Sequence, residues 1–134
     1  MIQPLLMFSD WGLLALRIVL GAILIAHGWP KIKDLRRTAE NFEMMNFMPG
    51  MFWGVLVALV EFVGGIFFIA GFFTQIIALM LTIEFLVVVF KVKWNHGFVE
   101  GYEFDLLIAA VACLFAFVGS GAWGLDQILS ISIL

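Results

Sequence analysis

Three side chains able to do chemistry stand inside long apolar stretches of this sequence: Arg17, Glu61 and Glu84. A charged group in hydrocarbon costs at least ~2.5 to 3.5 kcal/mol on the insertion scale, so it turns toward a bundle interior and a partner. One guanidinium and two carboxyls at a common depth are expected to meet, Arg17 against Glu61, with one glutamate keeping a proton near neutral pH. Such a centre would hold a ligand with the arginine and move protons through a glutamate, which makes Glu61, Arg17 and Glu84 the candidate catalytic residues. The same pairing would equally serve as a clamp that fixes helix register.

The elements that must carry these residues follow from composition. Of 134 residues, 64% are hydrophobic and 13% charged, and the mean hydropathy is +1.14. A water-soluble domain of this size has no way to hide that much apolar surface. A helix crossing ~30 Å of hydrocarbon needs about 20 apolar residues, and four stretches qualify, near residues 8–30, 52–73, 74–94 and 104–125. The expected fold is a single all-α membrane domain over residues 1–134, an antiparallel bundle of four transmembrane helices. Trp11, Trp29, Trp53, Trp94 and Trp123 all fall at proposed span ends, where indole prefers the headgroup level. The N-terminal stretch MIQPLLMFSD has neither a basic region before the apolar run nor a small-residue cleavage site, so the first segment is expected to stay as a span.

Helical spacing puts Arg17, Gly21, Leu24, Gly28 and Lys31 on one side of the first span, and Gly54, Glu61, Gly65 and Phe68 on one side of the second. Glycines let backbones approach closely at such a seam. Between these spans, Leu35, Ala39, Phe42 and Met45 recur at steps of three and four within residues 33–46. That pattern suits an amphipathic helix on the membrane surface, stopped by Pro49 and Gly50. Lys31, Lys33, Arg36 and Arg37 follow the first span, and Lys91 and Lys93 end the third. Basic loops stay on the cytoplasmic side, so both termini are expected to be extracytoplasmic.

A second polar group, His27, Lys31, Lys91, His96, Tyr102, Glu103 and Asp105, is expected at the cytoplasmic span ends. Snorkelling accounts for its lysines without any function. His27 and His96 share one membrane edge and have no soft ligand nearby, so no metal or haem is expected. The single Cys113 rules out an internal disulfide or a CxxC pair. A net charge of −3 without like-charge runs leaves no nucleic-acid surface.

Three runs, LRIVLGAILIAHGWPKI from Leu16 to Ile32, EFVGGIFFIAGFFTQ from Glu61 to Gln75 and GYEFDLLI from Gly101 to Ile108, resemble the successive signature segments of the DoxX family of small four-helix membrane proteins. The matching positions are Arg17, Gly21, His27, Gly28 and Lys31, then Glu61, Gly64, Gly65 and Gly71, then Gly101, Tyr102 and Glu103. Glu84 belongs to none of them. The resemblance implies the cytoplasmic membrane of a bacterium or archaeon and a link to quinone-coupled oxidoreduction, because related DoxD-type subunits belong to a thiosulfate:quinone oxidoreductase. On that basis the expected ligand is a quinone or similar lipophilic molecule, with His27, Lys31, Phe68, Tyr102 and Glu103 as its binding residues. Phe67, Phe72 and Phe73 would add apolar wall. The chain has no redox-active thiol pair of its own, so electrons would come from a partner oxidoreductase subunit. Two other functions stay open: a transporter or ion pathway, in a small pore or homo-oligomer, and a structural anchor for an enzyme.

Overall fold

The computed structural model describes residues 4–131. A 3-10 turn, Pro4–Phe8, leads into α1 (Ser9–Lys33), which carries Pro30 in its last turn and ends three residues later. The chain reverses at Asp34, whose carboxylate accepts the Arg37 N–H at 3.0 Å and so caps α2 (Leu35–Met44). Next comes α3 (Gly50–Ala70), closed by Gly71 at φ 71, the left-handed end position that glycine takes without steric cost. Then α4 (Thr74–Val87) runs on through a wider π-turn, Val88–Val92. Finally α5 (Glu103–Val118) is followed by the single-turn α6 (Leu125–Ile128).

Among the described residues, four stretches are long and apolar enough to cross a membrane: Pro4–Lys33, Gly50–Ala70, Thr74–Val92 and Phe98–Val118. They match the four expected spans in number and order. The fourth sits about six residues earlier than the 104–125 estimate, because Gly119 at φ 81 and Gly121 at φ 80 end the helix before the apolar run itself stops. The amphipathic helix is present as α2; Thr38 and Ala39 are its buried positions, set against Gly50 and Gly54 of α3.

Leu20, Leu24, Phe68, Leu81, Phe85, Ile108 and Phe115 form one core, in which Phe68 and Phe115 meet edge to face at 4.9 Å. The outer surface is apolar as well. Val19, Leu59, Ile83, Leu107 and Phe117 are all exposed, a distribution that water penalises and lipid tails accept. Trp11 and Trp123 pack together at 4.9 Å at one end of the bundle, while Trp29 stands against Phe62 and Trp94 stacks on Tyr102 toward the other.

The seam between α1 and α3 is made by glycine. A Cβ on Gly21 would collide with the side chain of Ile69, and one on Gly28 would lie 2.6 Å from the Phe62 nitrogen. One on Gly65 would lie 3.0 Å from the Gly21 carbonyl oxygen. These approaches fix a lengthwise register in which α1 is displaced toward the α3–α4 turn. Lys31 therefore comes level with Glu61, and Arg17 with the end of α3.

Candidate functional site

The glycine-locked register brings three charged groups from three helices together. Lys31 Nζ of α1 donates to Glu61 Oε2 of α3 at 2.5 Å. The Glu61 side chain is 3% exposed and that of Lys31 30%. The Glu84 carboxyl of α4 lies within hydrogen-bonding reach of Glu61 and within the field of Lys31. The tight hairpin at Gly71 makes this last approach possible, since α3 and α4 leave the turn in register and Glu61 and Glu84 are nearly equidistant from it. Two carboxyls touching beside one ammonium sum to a net negative charge if both ionise. A proton between them removes that charge and makes the carboxyl-to-carboxyl hydrogen bond possible.

Arg17 is not part of this group, which corrects the expected Arg17–Glu61 pair. It is fully buried, and its Nη1 donates to the carbonyls of Ile69 at 2.8 Å and Phe68 at 3.4 Å. Those acceptors lie seven and eight residues beyond Glu61 along α3, ~10 to 12 Å at 1.5 Å per residue. They are carbonyls of the last turn of a helix, where partial negative charge collects and suits a cation; the Phe68 carbonyl also accepts the Gly71 N–H at 3.1 Å. Asp126 supplies the opposing full charge, while its two carboxylate oxygens accept the Phe73 and Thr74 N–H groups at 2.8 Å each and cap the start of α4. The error arose from equating span midpoints with depth; the glycine contacts, not the span ends, set how the helices slide.

The expected cytoplasmic group separates into several contacts. His27 is exposed and stacked on Phe104 at 6.1 Å. Tyr102 stacks on Trp94 at 5.3 Å with the rings 12° from parallel. Glu103 accepts the Glu100 N–H at 3.1 Å in the turn before α5. Lys91 stands over the Phe47 ring at 4.5 Å. Phe68 is completely buried in the core and meets no lipid face. Lys31 alone of the proposed ligand-binding residues joins the two glutamates. Sequence reasoning had not paired Lys93 with Asp105, which meet at 2.7 Å with Asp105 only 5% exposed. Their separation across the α4–α5 turn has no helical periodicity to betray it. Asp126 was also missed, because it lies just past the expected fourth span, in the single-turn α6, where no periodicity marks it.

A cleft of about 710 Å³ opens at the α3–α4 turn among Asp10, Thr74, Ser120 and Asp126, away from the Lys31–Glu61–Glu84 group. Among the described residues, no three His, Cys, Asp or Glu side chains are placed to hold a metal ion.

Comparison with known proteins agrees with this architecture. The DoxX family profile matches residues 12–94, a segment that contains Arg17, Lys31, Glu61 and Glu84. The chain is similar to the inner membrane protein YqjF of Escherichia coli (strain K12), 34% identical over 127 residues, which covers 91% of this chain and 95% of that protein. No solved structure gives a significant match. With the family profile over most of its length, a relative matched almost end to end and four apolar helices, the chain is an integral membrane protein that belongs to the DoxX family.

Proposed function

We propose that this chain is an inner-membrane subunit of a quinone-linked oxidoreductase system, in which Lys31, Glu61 and Glu84 exchange protons with a lipophilic redox molecule. One observation carries the reading: two carboxyls from separate helices touch beside a single ammonium, inside an apolar bundle. Charge stranded there is costly, and a shared proton relieves it, so the group is poised to take up or release a proton when its surroundings change charge. Quinone reduction makes such a demand, because two electrons and two protons convert quinone to quinol. The electrons come from a partner oxidoreductase; the protons pass through the glutamates. The quinone link itself rests on the family resemblance, and the inner-membrane location on the YqjF relative. Arg17 takes no part in this chemistry and serves as the brace of the α3–α4 turn.

The test is infrared difference spectroscopy on protein in lipid nanodiscs holding a short-chain ubiquinone, recorded as the quinone is chemically reduced. A protonated-carboxyl band that changes on reduction, and that is lost or shifted in Glu61→Gln or Glu84→Gln, is the expected result. A carboxyl region indifferent to quinone redox state in the unsubstituted protein overturns the reading. Proton flux through proteoliposomes without any quinone, abolished by Glu61→Gln, would instead select the transporter function.

A further inference from the structure

Two polar regions of the bundle open toward opposite ends. The Lys31–Glu61–Glu84 group lies toward the end that carries the α1–α2 corner. The cleft lined by Asp10, Leu13, Thr74, Ser120 and Asp126 lies at the α3–α4 turn, and Arg17 follows Asp10 and Leu13 at helical spacing, one turn deeper along α1. We propose that an apolar septum divides the two, so that the proton-handling group exchanges protons only with water at the α1–α2 end and the cleft is a blind vestibule. The inference rests on the function proposed above and adds the side of the membrane from which the two protons of quinone reduction are drawn.

Every long helix contributes its inner face to the septum. Between Arg17 and Lys31, α1 buries Leu20 and Leu24; between Glu61 and the carbonyls that hold Arg17, α3 buries Gly65 and Phe68. Between Thr74 and Glu84, α4 buries Ala78 and Leu81, and α5 closes the remaining side with Ala112 and Phe115. Leu24, Phe68, Ala78, Leu81, Ala112 and Phe115 are all 0% exposed and belong to one packed core. Along α3 the layer is about 10 Å deep at 1.5 Å per residue. A proton moves between groups within hydrogen-bond reach, ~3 Å apart or through one water, and a close-packed apolar layer holds neither such groups nor water. Thr82 of α4 offers no step, because its hydroxyl donates to the Ala78 carbonyl at 2.7 Å. Arg17 adds a fixed positive charge on the cleft side, which repels an approaching proton. The other end is open. Lys31 keeps 30% exposure and stands two residues before the end of α1, where its carbonyl accepts the Thr38 hydroxyl at 3.0 Å and where Lys33 and Asp34 are exposed. Water that reaches this corner meets the Lys31 ammonium first, with Glu61 and then Glu84 behind it.

Sided cysteine labelling tests this, with the membrane-impermeant trimethylammonioethyl methanethiosulfonate as the probe, on full-length protein carrying Cys113→Ser in sealed bacterial membrane vesicles, right side out and inverted. Arg36→Cys, at a side chain 90% exposed, marks the α1–α2 end, and Gln127→Cys, exposed on the cleft wall, marks the other. Lys31→Cys should react at least tenfold faster from the Arg36 side than from the Gln127 side. Ala78→Cys and Ala112→Cys, small replacements inside the septum, should react from neither side until the protein is denatured. The unsubstituted protein in proteoliposomes with trapped pyranine should pass no more protons under an imposed potential than protein-free liposomes, a reading that no misfolded variant can blur. Equal reaction of Lys31→Cys from both sides, labelling of both septum cysteines in native vesicles, or proton flux above the protein-free level overturns the septum. If the infrared response to quinone reduction is intact while the labelling is two-sided, only the one-sided access falls. If the labelling is one-sided but the carboxyls never respond to quinone, only the proton-handling reading falls.

Discussion

At the scale of single residues, the two cations inside the bundle have different dependencies. Lys31 is the sole ammonium facing two carboxyls, so Lys31→Met leaves both without a counter-charge. An expected loss of about 2 to 3 kcal/mol, less than for a fully buried pair because Lys31 is partly exposed, should appear as a lowered unfolding midpoint in mixed micelles. Glu61→Gln should cost less, since Lys31 keeps Glu84 as a partner, and the double variant should lose less than the sum of the two. Arg17 lies in the field of Asp126 and ties down the end of α3. Arg17→Met should therefore destabilise by about 2 to 4 kcal/mol yet leave the carboxyl infrared band in place. A vanished band in a folded Arg17→Met protein would return Arg17 to the functional group.

At the scale of elements, the α1–α3 seam and the α3–α4 turn decide where every charged group ends up. Gly28 faces backbone atoms of Phe62 that have nowhere to move. Gly28→Leu should consequently force α1 and α3 apart and separate Lys31 from Glu61. Cysteines replacing Trp29 and Phe62, whose rings face each other across the seam, should be bridged by a short bifunctional thiol reagent in the parent and poorly in that variant. Gly71 combines φ 71 with a position where a Cβ would strike Arg17 and lie 2.5 Å from Gly124. Gly71→Ala should lower stability by about 1 to 3 kcal/mol through backbone strain and the displaced brace, measured by the same unfolding assay. The Asp126 cap of α4 is worth about 1 to 2 kcal/mol by analogy with other N-terminal caps, the loss expected for Asp126→Ala.

At the scale of the whole molecule, the basic residues outside the buried groups gather at one end. Lys33, Arg36, Arg37, Lys91 and Lys93 lie on or beside the α1–α2 and α4–α5 connections, while Asp10 and Asp126 lie at the α3–α4 turn end. The charge asymmetry predicts that the basic end is cytoplasmic and both termini are outside. Alkaline phosphatase fused to the C-terminus should be active in a bacterial host, and a green fluorescent protein fusion at the same point should be dark; the reverse pair of results would invert the orientation. A bundle apolar inside and out gains little from hydrophobic burial between its helices once in lipid, so close packing at the glycines and the interhelical hydrogen bonds supply what holds it together.

What the residues determined unaided was the class and the faces. Apolar length set four spans, tryptophan placement marked their ends, and three-to-four spacing picked out the buried stripe of Arg17, Gly21, Leu24 and Gly28. Charge cost alone said that Glu61 had to find a partner. Which partner it found was a tertiary decision. A glycine stripe in an apolar helix can slide along its neighbour by whole turns with little change in hydrophobic burial, so periodicity carries no information about lengthwise register. Only the contacts of Gly21, Gly28 and Gly65 across the seam, together with the capped turn at Gly71, place Lys31 rather than Arg17 beside Glu61 and bring Glu84 to meet them.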